Sequence, residues 1–368
     1  MGSLTLPAGV LARAREVAAV VERRIASLGG RDFRVDAEEL LTGRAALLGL
    51  PSPSRASAGG ASRLLAAADG WCAFTLSRAD DFDALPALLE MPHIAGDPWE
   101  HLAASIAGRR AAEIVARARL LDLPAAVLGE IAAGEPEVER QTTPSKRPIR
   151  DLLVVDLSSM WAGPLCGRLL AAAGATVVKV ETPARPDGTR GGVRDFFDWM
   201  NAEKLCYAGD FAPLVRAADV VIEGSRPSSL ARRGLAANQV PARPGRIWLR
   251  VSGYGPAHPE RIAFGDDAAV AGGLVMGGDD EPVFCGDAIA DPLSGLTATA
   301  AVLDALVSGG GVLIDVSMAA VAATYAALPD TGVVDCESRL PTITARAQGL
   351  GADNLRVGDI VESRLAAC

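Results

Sequence analysis

Lysine, histidine and paired cysteine are what this chain of 368 residues has least of. Lys146, Lys179 and Lys204 are its only lysines, so 33 of the 36 basic residues are arginine. The arginines form no dense basic run and the net charge is −9, which argues against a nucleic-acid surface. Three histidines, none paired at ligand spacing, argue against a His-rich metal site, and no metal is expected. Six cysteines (Cys72, Cys166, Cys206, Cys285, Cys336, Cys368) show no C-x-x-C spacing. They are read as free thiols in a reducing, cytoplasmic setting. No uninterrupted apolar run reaches membrane-spanning length, and Met1–Ala8 lacks the character of a signal peptide, so no membrane partner is expected. No G-x-G-x-x-G loop is present, which weakens a nicotinamide-dinucleotide reading. What the chain has in quantity is apolar residues, 49%, enough for two domains with their own cores.

One stretch organises the rest, DLLVVDLSSMWAGPLCGRLLAAAGATVVKVETPARPDGTRGGVRDFFDWMNAEK, residues 151–204. Leu152 to Leu157 is a short apolar run with valines and reads as a buried strand. Ser158 and Ser159 can cap a helix, and Pro164 suits its first turn. Leu165, Leu169 and Leu170 give that helix an apolar side, Gly174 stops it, and Thr176 to Val180 is a second buried strand. Strand, helix, strand makes a βαβ unit, and such units bind ligands beyond the carboxyl ends of their strands. Here those ends carry Ser159–Ala162 and Glu181–Arg190.

Before this unit the chain reads as helices over Pro7–Leu28 and Asp36–Leu50, then a Ser/Pro/Gly-rich loop over Pro51–Ala61. A strand follows over Trp71–Leu76, then a helix capped by Asp80 or Asp81, one or two helices over Trp99–Leu121, and a short apolar segment to Ile131. Residues 1–133 are therefore expected as a small α+β domain. Residues 134–148, polar and with three prolines, are the expected linker. The α/β domain spans 149–328, with further strands at Ala218–Glu223, Arg246–Val251 and Val312–Val316 and a helix at Pro292–Val307. Residues 329–368 form an irregular tail. The fold class is α/β, a Rossmann-like parallel sheet with flanking helices plus a smaller α+β domain.

VVDLSSMWAGPLCGRLLAAAGATVVKVE resembles the opening of the family III CoA-transferases, the group that includes α-methylacyl-CoA racemases. The likeness continues in order through Asn201–Lys204, ADVVIEGSRPSSLARRGL, RIWLRVSGYG, GDAIADPLSGL and GVLIDVSM, together about residues 150–320. The family's small domain follows the last of these strands. Here DGWCAFTLSRADDFDALPALLE and the run to LDLPAAVLGEI resemble it from the front of the chain. A small domain moved to the N-terminus is the expectation.

The resemblance implies a CoA-transferase acting through a covalent aspartyl intermediate at Asp291, with acyl-CoA as substrate and no cofactor permanently bound. By local sequence alone, an Asp before Pro292 and a helix is an ordinary N-cap. The resemblance also implies CoA contacts from Ser159, Met160, Trp161 and Ala162, and from Asn201, Lys204, Arg226 and Arg232. Each of these has a plainer reading, Trp161 as core and the arginines as solvated charges. Glu181 ends the second strand, where a dinucleotide fold places its ribose-binding acid. Gly265-Asp266-Asp267 departs from the racemases, which carry His at the position of Asp266. That departure disfavours α-proton exchange, which needs two acid/base groups. The two carboxylates are expected as a helix cap. A homodimer is implied. The alternatives are a racemase or epimerase, a non-catalytic CoA-binding protein and, more distantly, a NAD-linked dehydrogenase.

Overall fold

The computed structural model describes residues 3–366 apart from residue 279. The chain opens with β1 (Ser3–Pro7), α1 (Ala8–Ser27) and α2 (Ala37–Leu48). The start of α2 is set by Asp36, whose carboxylate accepts from Glu38 N and Glu39 N, and its end by Gly49 at φ +62°. β2 (Ser62–Ala67), β3 (Gly70–Thr75), α3 (Ala79–Leu89), α4 (Pro98–Ala107), α5 (Ala111–Leu120) and β4 (Ala125–Val127) follow. Gly108 separates α4 from α5, so Trp99–Leu121 is two helices. Asp81 does not cap α3 in the ordinary sense. It sits in the first turn and accepts from the N–H groups of Ser77 and Arg78.

The second half runs β5 (Glu137–Arg140), β6 (Leu153–Asp156), α6 (Ala162–Ala172), β7 (Thr176–Val180), α7 (Arg194–Asn201), β8 (Leu205–Tyr207), α8 (Ala212–Ala217), β9 (Val220–Glu223), α9 (Pro227–Ala231) and β10 (Ile247–Ser252). Then come α10 (Gly265–Ala271), β11 (Val275–Met276), β12 (Val283–Phe284), α11 (Ala290–Val307), β13 (Val312–Ser317), α12 (Met318–Ala326), β14 (Val333–Glu337) and α13 (Asn354–Ala366). Seven strands make the main sheet, in the order β5-β13-β10-β9-β6-β7-β8, all parallel except β5. The expected α/β class is what the structure has.

Strand alternation divides the two faces. Val154, Val177, Ile222, Leu249 and Ile314 face one core with α1, α2, α6, α11 and α12. Leu153, Val155, Val178, Val221, Trp248 and Leu313 face the other, which α8 and α13 cover through Leu214, Val215, Val357 and Val361. Both faces are buried, which is why these strands read as unbroken apolar runs.

Three features depart from expectation. Residues 134–148 are not only a linker, because β5 within them pairs antiparallel with β13. Its four residues are all exposed, so its pattern carries no apolar signal. The tail holds β14, which pairs with β1, register Ser3 with Glu337. Within 1–133, α1 and α2 share the core of the main sheet, while Cys72, Phe74, Leu85, Leu102, Ile114 and Ala125 form a separate core around the β2-β3-β4 sheet. The five described cysteines are buried and unbridged, and Cys368 lies outside the described residues. No described helix is long and apolar enough to cross a membrane.

Candidate active site

Asp291 is the second residue of α11, whose N-cap is Ile289 with no side-chain capping bond. The ordinary cap reading is thereby corrected: the carboxylate is not locked to its own helix. Helix α11 presses on α6 because Gly295 has no side chain; a Cβ there would stand 2.7 Å from Ala162 O. The start of α6 thus lies beside the start of α11, and the N–H of Ala162 favours the charged form of Asp291. Asp291 is half-buried, so it is reachable yet poorly hydrated. Desolvation dominates and pushes its pKa up to about 7, against the pull of Arg44 and of the Ala162 N–H.

The turn leading into α11 is held from α10. Ala288 takes a left-handed φ of +44°, unusual for a residue with a side chain, and its N–H donates to Asp266 Oδ1 at 3.1 Å. Gly265 allows this closeness. A Cβ there would stand 2.3 Å from Ala288 O and 2.4 Å from Asp291 Oδ2. Asp266 also accepts from Ser62 Oγ at 3.0 Å, which ties β2 to the site. Asp267 does the capping, accepting from Phe264 N at 2.9 Å and from Thr75 Oγ1 at 3.0 Å. Of the expected pair of cap carboxylates, one caps and the other braces the turn before Asp291.

Asp287, one turn earlier in GDAIAD, pairs with Arg44 Nη1 at 2.5 Å. Burial pushes its pKa up to about 6 against the pull of Arg44. The Arg44 guanidinium stands 5.6 Å from the centroids of both Trp161 and Phe196, which meet edge to face. Arg44 comes from α2 and carries no motif; nothing in the sequence marked it or Asp287.

The loop after β6 is fixed by buried charge. Lys179 Nζ donates to Asp187 Oδ2 at 2.6 Å and to Ser158 O, and Asp187 faces Met160 N at 3.3 Å. Ser159 and Met160 are exposed, and Met160 holds φ +74°. Trp161 is buried, and its indole N–H has no partner among the described residues. Ala162 is buried as the first residue of α6.

The remaining expected contacts divide into buried, paired groups and exposed arginines. Lys204 is fully enclosed, and its three N–H donors go to Asp156 Oδ2 at 2.8 Å, Pro164 O at 2.8 Å and Asn201 Oδ1 at 3.0 Å. No donor is left for a phosphate. Asn201 is equally buried and donates to Phe197 O. Glu181 spends both oxygens on Arg190, at 2.8 Å from Nε and 2.7 Å from Nη2, and also accepts from Asp187 N. Burial without a free group is the physical objection to direct ligand contact by these three. Arg226 and Arg232 bracket α9 and are exposed, and Arg226 reaches Asp122 at 3.2 Å.

Residues 149–331 match the sequence model of CoA-transferase family III. Through this segment the chain belongs to that family. The family III segment includes β6 through α12, the loop after β6 and Asp291, but not Arg44. It is similar to succinyl-CoA–D-citramalate CoA-transferase of Chloroflexus aurantiacus, 32% identical over 198 residues, 47% of this chain and 49% of that protein. It is also similar to succinate–glutarate CoA-transferase of Agrobacterium fabrum, 30% identical over 205 residues, 47% of this chain and 51% of that protein. A solved CAIB/BAIF family protein from Brucella suis is 30% identical with a TM-score of 0.44, over 49% of this chain and 55% of that one. The chain spans about half the length of the curated relatives it matches.

Proposed function

We propose that the chain transfers CoA between carboxylic acids through a covalent intermediate on Asp291. The observation that carries this reading is an uncapped, half-buried carboxylate at the meeting of two helix starts, inside the family III segment. Asp291 attacks the thioester carbonyl of an acyl-CoA and expels CoA thiolate, leaving a mixed anhydride. The thiolate attacks the aspartyl carbonyl and releases the donor acid, leaving an aspartyl-CoA thioester. An acceptor carboxylate then repeats the two steps in reverse order. The Ala162 N–H and the start of α6 supply positive potential where the oxyanion develops. The exposed Ser159–Met160 loop, with Arg226 and Arg232, forms the face for CoA. Lys204, Asn201 and Glu181 support that face from behind. Acyl-CoA and a carboxylic acid are the substrates, a homodimer is the assembly, and the β2-β3-β4 unit is the small domain moved to the front.

The first test is incubation with succinyl-CoA and a panel of acetate, oxalate and glutarate, reading new thioesters by mass spectrometry. Transfer to at least one acid is expected. Exchange of an α-proton in deuterated water without transfer would favour the racemase alternative, for which Asp266 and Asp291 would be the acid/base pair. Asp266 has its two oxygens committed to Ser62 and Ala288, which favours transfer.

The pH dependence has a definite sign. The nucleophile is the ionised form of Asp291, and its pKa lies near 7 rather than near 4. Below that value kcat/KM is expected to fall by about ten-fold per pH unit, and above it to level off. A profile flat from pH 5 to 8 would contradict this.

A further inference from the structure

We propose that Arg44 is the seat for the acceptor acid, holding its carboxylate in a two-pronged hydrogen bond beside Asp291. This rests on the transfer reading, which requires two acids to be bound in turn next to one nucleophile and leaves the second without a receptor.

The placement of Arg44 is built, not incidental. Gly43 lets α2 approach α7; a Cβ there would lie 2.8 Å from the Trp199 ring and 2.7 Å from Pro341 Cγ. The guanidinium is then set against Trp161 and Phe196, whose faces stabilise a cation. About a quarter of its side chain is exposed, 23%, so a solute can reach it. Its Nη1 is taken by Asp287 Oδ1, and that is its only hydrogen bond among the described residues. The other N–H groups of a guanidinium form a planar fork that fits a carboxylate.

The surroundings point the same way. The buried Trp161 N–H beneath the cation has no partner among the described residues and can donate to an anion seated there. Unpaired buried donors are uncommon in folded proteins, and one beside an accessible cation suits an anion. Charge gives a second reason. Asp266, Asp287 and Asp291 lie close together, and Arg44 acts on all three. An incoming anion would be repelled there unless a cation received it. With its carboxylate on Arg44, each oxygen of the acid keeps a lone pair, and one attacks the aspartyl-CoA carbonyl. That attack forms the anhydride bond, breaks the C–S bond and releases CoA thiolate.

The test is calorimetric binding of acetate, succinate and glutarate to the full chain, for wild type, Arg44→Ala and Arg44→Lys. Wild type is expected to bind at least one of the three. Arg44→Ala should bind it roughly 10- to 100-fold more weakly, the worth of a charged hydrogen-bond pair. Arg44→Lys keeps the cation over the rings but not the fork, so it should weaken binding less and fold normally. Guanidinium ion should restore part of the affinity of Arg44→Ala. Equal affinity in wild type and Arg44→Lys, or no binding of any acid by wild type, overturns the proposal. The transfer reading fails differently: acids bind through Arg44 yet no thioester exchange follows.

Discussion

Asp291→Ala is expected to lower CoA transfer by roughly 10⁴-fold, the scale on which removing a covalent nucleophile acts. The chain should keep its stability or gain some. The wild-type carboxylate is held half-buried among Asp266 and Asp287, and its pKa is raised mainly by desolvation, so its charge opposes folding at neutral pH. Loss of activity with unimpaired stability separates a chemical role from a structural one. Asp291→Asn tests the same point with the shape retained. Turnover within ten-fold of wild type in either variant would remove Asp291 from the mechanism.

The second large effect concerns stability. Lys204→Met is expected to destabilise the chain by about 3–5 kcal/mol, the cost of leaving a buried charge without its partner. Asp156 is enclosed at the end of β6, and its carboxyl is held below the usual range against desolvation chiefly by Lys204, then by Lys179. Removing Lys204 also takes the donor away from Pro164 O and Asn201 Oδ1, loosening α6 and α7 together. Adding Asp156→Leu should recover much of the loss, because an apolar pair replaces a buried ion pair at little cost. Denaturant titration reads both variants. A Lys204→Met chain as stable as wild type but weaker for CoA would return Lys204 to ligand binding.

That contrast shows where sequence reasoning reaches its limit. β6, β7, β9, β10 and β13 are legible because burial on both faces forces continuous apolar runs, and Gly174 marks the stop of the helix between the first two. β5 is not, because an edge strand with four exposed residues has no apolar pattern to read. β1 and β14 are not, because their pairing joins segments some 330 residues apart. Asp291 could be singled out only through resemblance, since an Asp before Pro292 reads locally as a cap. Lys204 stood out as a rare lysine, yet sequence cannot distinguish a cation buried on Asp156 from one aimed at a phosphate. Arg44 sits in an ordinary helix outside every motif. Its relation to Asp287 and Trp161 exists only after α2 has packed on the sheet.

The central claim is that Asp291 carries CoA in covalent linkage during turnover. It is tested most directly by incubating the protein with succinyl-CoA, quenching in acid or adding hydroxylamine, and mapping the modified peptide by mass spectrometry. The account predicts a CoA adduct, or its hydroxamate, on Asp291 and its disappearance when an acceptor acid is added. Acyl exchange proceeding with Asp291 unmodified, or with the adduct on another residue, would contradict it.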